Sequence, residues 1–64
     1  MTLEELALLL EIVNRRHPME RFLLGKREKQ AATSLVRKGL IEKIDMPRVG
    51  VAYVATPEGE DAVL

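Results

Sequence analysis

The chain contains no cysteine, which excludes disulfide staples and thiolate–metal centres. His17 is its single histidine, so a histidine-rich metal site cannot be built either. The longest apolar run, Leu6 to Leu10, has five residues, whereas a transmembrane helix needs about 20. The opening Thr2-Leu3-Glu4-Glu5 carries acid where a signal peptide carries positive charge, and Glu11 interrupts the apolar stretch. These absences lead us to expect a soluble, cytoplasmic protein. No glycine-rich phosphate loop, serine-nucleophile motif or nucleotide fingerprint occurs. We therefore expect no enzyme, no cofactor, no metal and no small-molecule ligand. Internal repeats, low-complexity stretches and linkers are missing too. With 64 residues the chain forms one domain, 1–64. A domain this short hides only about 60% of the surface its unfolded form exposes. It needs a partner or very efficient packing.

What is present is a globular composition, 47% apolar and 31% charged. Ten basic and ten acidic residues cancel, but they are segregated. Residues 1–14 and 49–64 each carry a net charge of −3, and residues 15–48, with every Lys and Arg, carry +6. A basic centre between acidic ends suits an anionic partner. It also suits an ordinary solvated helix surface.

Thr2 is a helix cap, followed by Glu4 and Glu5 in a first turn whose dipole favours acid. Leu3, Leu6, Ala7, Leu10 and Val13 recur at helical spacing, and His17-Pro18 ends the run. This predicts a first helix over about 2–16, with Arg15 and Arg16 in its last turn. Leu8, Leu9 and Ile12 extend its apolar arc beyond one stripe, which marks either an interface or a helix pinned on two sides by the rest of the domain. Pro18 suits the first position of a second helix, about 18–24, which Gly25 ends by a left-handed turn. A third helix runs over 26–38, with Ala31, Ala32 and Leu35 buried and Gly39 as its stop.

The opposite face of the third helix carries Lys29, Gln30, Thr33 and Arg37, with Lys26, Arg27 and Ser34 beside them. Each can hydrogen-bond a phosphate or a base edge. Glu28 is the only acid in 26–38. Residues 40–46 alternate as a strand, Pro47-Arg48-Val49-Gly50 reads as a turn, and 51–55 as a returning strand. Thr56-Pro57-Glu58 then caps a terminal helix, a stub of the eight remaining residues. The predicted core is Leu6, Leu10, Phe22, Leu23, Ala32, Leu35, Leu40, Ile44 and Tyr53.

Two stretches, Leu35-Val36-Arg37-Lys38-Gly39-Leu40-Ile41-Glu42-Lys43 and Tyr53-Val54-Ala55-Thr56-Pro57-Glu58-Gly59, flank the predicted hairpin. In this order they resemble the end of the recognition helix and the wing-to-helix junction of winged helix-turn-helix DNA-binding domains. The MarR/PadR-like superfamily is the nearest likeness, and it covers nearly the whole chain. Its small size resembles a phage-, virus- or plasmid-borne regulator. The resemblance implies an α+β, mainly α, fold of three helices, a two-stranded β-hairpin wing and a short C-terminal helical stub. It implies a transcriptional regulator, a repressor, that binds double-stranded DNA in the host or cell cytoplasm. Lys26, Arg27, Lys29, Gln30, Thr33, Ser34 and Arg37 would meet the major groove, and Arg48 the flanking DNA. A homodimer, joined through Leu8, Leu9 and Ile12, would span two half-sites. The alternative is a winged-helix protein-interaction module, an inhibitor or scaffold subunit that does not read DNA. The pI of 6.6 favours it, because autonomous DNA-binding domains often lie above about 9.

Blander roles suit the other polar residues. His17 fills a helix end before Pro18, and Glu58, Glu60 and Asp61 answer the dipole of a helix start. Tyr53 packs against the third helix with its hydroxyl at the edge.

Overall fold

The computed structural model describes all residues, Met1–Leu64. Its elements are α1 (Leu3–Asn14), β1 (Met19–Glu20), a 3-10 turn (Arg21–Leu23), α2 (Lys26–Arg37), β2 (Ile41–Met46), β3 (Gly50–Ala55) and α3 (Pro57–Val63). The fold is α+β, about half helical, with one antiparallel sheet in the order β1-β3-β2. No helix is long and apolar enough to cross a membrane.

The expected second helix over 18–24 does not form. Met19 and Glu20 instead pair with Tyr53 and Ala52, adding a third strand where two were expected. Unpaired amides on an open edge of β3 need partners, and a seven-residue helix has little stability of its own. Met19 is buried at this edge, and a single 3-10 turn replaces the rest of the helix. Gly25 is not left-handed. It is the N-cap of α2 at φ −77°, and its N–H donates to Glu28 Oε1 at 3.0 Å. α1 stops at Asn14, leaving Arg15 as an extended cap outside its last turn.

α1 is turned relative to expectation. Leu8, Leu9 and Ile12 are buried in the core, so they cannot be a dimer contact. The stripe expected inside faces out, with Leu6 and Leu10 over a third exposed and Leu3 84% exposed. Phe22 and Leu23 are also on the surface, at 66% and 53%. Of the predicted core, Ala32, Leu35 and Tyr53 are buried, while Leu40 and Ile44 are half-buried. Leu9, Leu35 and Ile41 are the largest fully enclosed side chains, each contributing roughly 1.5–3 kcal/mol by leaving water.

The rotation places Glu5 on the buried face, where its carboxylate is fully answered. Glu5 Oε1 accepts from the Thr2 backbone N–H at 2.8 Å and from Lys38 Nζ at 2.9 Å. Thr2 Oγ1 accepts in turn from the Glu5 N–H, closing a capping box. Hydrogen bonds from the Ser34 side chain, from Lys38 and from the Thr2 N–H lower the Glu5 pKa from 4.5 to about 2. This cluster ties the start of α1 to the end of α2.

The same C-terminal end of α2 is also held by α3. Thr56 Oγ1 donates to the Gly39 carbonyl at 2.7 Å and accepts from the Gly59 N–H at 3.1 Å. The Thr56 N–H donates to the Leu40 carbonyl at 3.1 Å. Gly39, at φ +78°, makes the corner into β2 that these bonds clasp.

Candidate functional site

α2 buries Ala31, Ala32 and Leu35 and turns Lys26, Gln30, Thr33 and Arg37 to solvent. Spacings of three and four residues put these exposed side chains along one stripe. The small, buried Ala31 and Ala32 let α2 lie close on α1 with its polar stripe outward. Thr33 Oγ1 donates to the Lys29 carbonyl at 3.0 Å and keeps its lone pairs free. The single acid of the segment, Glu28, folds back onto the Gly25 N–H, so its carboxylate serves the helix start.

The other expected site residues divide between the two flanks of α2. Arg27 leans toward α1 and lies 3.9 Å from Glu4, in a pair so exposed that it adds little stability. Ser34 also faces α1, half-buried, where its side chain helps to lower the Glu5 pKa, and does not share the outer stripe. Lys29 faces the other way, toward the hairpin.

On that hairpin side lie two shallow hollows. Thr33, Val36, Lys43, Tyr53 and Arg21 line one; Lys29, Phe22, Val49, Val51 and Arg21 line the other. Arg21 borders both, and no acidic residue lines either. Arg21 and Lys43 are thus additions to the expected site. Lys43 lies directly across from Tyr53 in the ladder and so shares the sheet face that packs on α2, at its exposed margin; the alternation Ile41, Lys43 is the signal that could have shown it. Arg21 was hidden because its segment read as a helix. Arg15 and Arg16 belong to a separate hollow beside His17 and Glu60, so the +6 charge of the central segment is not gathered on one face.

Arg48 stands exposed in the β2–β3 turn with φ +72°. The Val49 N–H donates to the Met46 carbonyl at 3.2 Å, closing a β-turn with Pro47 and Arg48 at its centre. A positive φ at the third position is the type II geometry that usually takes glycine. An L-residue there costs about 1–2 kcal/mol. The protein thus carries a long cation at a strained hairpin tip.

Together these elements present an outward polar helix face, a cationic trough along one flank and an arginine at the neighbouring hairpin tip. Comparison with family models, with curated proteins and with solved structures gives no match to this chain.

Proposed function

We propose that the chain is a minimal winged helix-turn-helix module that binds double-stranded DNA and acts as a repressor by covering a promoter. The observation that carries this reading is the composition of the exposed α2 stripe, Lys26, Gln30, Thr33 and Arg37, which contains no acid. The order of helix, short strand, turn, helix and hairpin supports it, as does the β1-β3-β2 sheet. In this reading α2 enters the major groove, Gln30 and Thr33 reach base edges, and Lys26, Lys29 and Arg37 meet phosphates. The hairpin tip brings Arg48 to the adjacent backbone. The 3-10 turn, Arg21–Leu23, does the work of the first helix of the motif. Dimerisation is part of the proposal, because two half-sites multiply the modest affinity of one short helix. The surface for it is the outward leucine stripe of α1, Leu3, Leu6 and Leu10.

The same leucine stripe favours a second reading, a protein-interaction module whose basic face is only wetted. A salt titration of binding to duplex DNA separates the two. Under the DNA reading affinity falls steeply with salt, by a logarithmic slope of about 0.9 per phosphate contact. Lys29→Ala and Arg37→Ala should each flatten that slope by about one contact and weaken binding to all sequences alike. Gln30→Ala should relax preference at one base position by about 1–3 kcal/mol of discrimination. Charge-removing variants that bind as well as wild type would move the interaction module to first place.

A further inference from the structure

Phe22 is the most exposed aromatic the chain has, at 66%, and nothing in the fold uses its ring. It lies beside Arg21 and Lys29, in the trough whose other wall is Val49 and Val51 of the hairpin. A trough with two cations, three apolar side chains and no acid in its lining is complementary to a ligand alternating anionic and apolar surface. We infer that it seats the sugar–phosphate backbone of one DNA strand. Arg21 and Lys29 take the phosphate, while Phe22, Val49 and Val51 close on the deoxyribose. This rests on the DNA-binding reading above and extends it to residues outside the α2 face. The trough joins that face at Lys29 and the hairpin tip at Val49, next to Arg48, so one strand leaving the major groove would pass along it. A small ligand is a poorer fit, since the trough is open along its length. The neighbouring Leu23 is similarly exposed but does not line it.

The two kinds of contact have separable signatures. Binding of a fluorescently labelled mixed-sequence duplex would be followed by anisotropy between about 50 and 200 mM salt. The proteins are wild type, Arg21→Ala, Phe22→Ser and Leu23→Ser. Arg21→Ala should lower the salt slope by about 0.9. Phe22→Ser should weaken binding roughly five- to tenfold at every salt concentration and leave the slope unchanged, as loss of an apolar contact does. Leu23→Ser should bind as wild type. All three positions are exposed, so melting temperatures should stay close to wild type. Steep salt-dependent binding by wild type with no loss in Phe22→Ser overturns the trough and leaves the DNA reading standing. An equal loss in Leu23→Ser does the same. A wild type that binds no duplex overturns both.

Discussion

Replacing Gly59 by Ala tests how closely α3 is clasped to the corner after α2. In an ordinary helix this change would help, by about 1 kcal/mol of propensity. Here an added Cβ would sit 2.9 Å from the Leu40 carbonyl carbon, closer still to its oxygen, and 3.3 Å from Leu9 Cδ1. The leucine side chain can give way, but the carbonyl cannot move freely. The Leu40 N–H is bonded to the Leu35 carbonyl at 3.0 Å and the Leu40 oxygen already accepts from Thr56. α3 must therefore back away and stretch the Thr56 bonds to Gly39 and Leu40, each worth about 0.5–1.5 kcal/mol. Overpacking of this kind costs about 1–3 kcal/mol. We expect a net loss of about 2 kcal/mol after the propensity gain. For a domain of this size about 1 kcal/mol moves the melting temperature by 4–8 °C, so the midpoint should fall by roughly 8–16 °C. Thermal melts followed by circular dichroism would measure it. Asp61→Ala, at an exposed position of the same helix, is the control and should shift stability by less than about 0.5 kcal/mol. The sign decides: a Gly59→Ala protein as stable as wild type, or more so, refutes the close packing of α3 on Leu40.

The Glu5 cluster predicts an acid limb in stability. A carboxylate with a lowered pKa contributes fully above about pH 4.5, and loses its contribution as pH falls toward about 2. Glu5→Gln should be less stable at neutral pH and flatter between pH 4.5 and 2, as melts across that range would show. Arg48→Gly should relieve the left-handed strain and raise stability by about 1 kcal/mol in urea denaturation, while weakening DNA binding. An Arg48→Gly protein that binds as tightly as wild type would remove the hairpin tip from the interface. The two leucine faces of α1 separate by charge insertion. Leu8→Glu buries a carboxylate in the core and should cost about 4 kcal/mol or more, enough to unfold the domain. Leu10→Glu should stay folded and sediment as a monomer at concentrations where wild type pairs.

The α+β class, the position of α2, the hairpin with its turn and the Thr56-capped terminal helix were legible in the chain, while the third strand was not. Each rests on local chemistry: glycine and proline at the turns, alternation in the strands, a hydroxyl before Pro57, and alanines opposite a polar stripe. Gln30, Thr33 and Arg37 shared a face for the same reason, since helical spacing alone puts them there; Lys26, expected beside that face, joins it, and Lys29, expected on it, turns to the hairpin flank. Only the tertiary structure decided how α1 is turned. Leu3, Leu6 and Leu10 and, on the other side, Leu8, Leu9 and Ile12 both repeat at helical spacing. Glu5 marks the second face as wet unless its partners are known. The chief of those partners, Lys38, lies 33 residues away, and its hydrogen bond makes the acid's burial tolerable. The same limit hid β1. Met19 and Phe22 fit a helix taken alone, and only the open edge of β3, also about thirty residues distant, turns that segment into a strand and leaves Arg21 and Phe22 beside the hairpin.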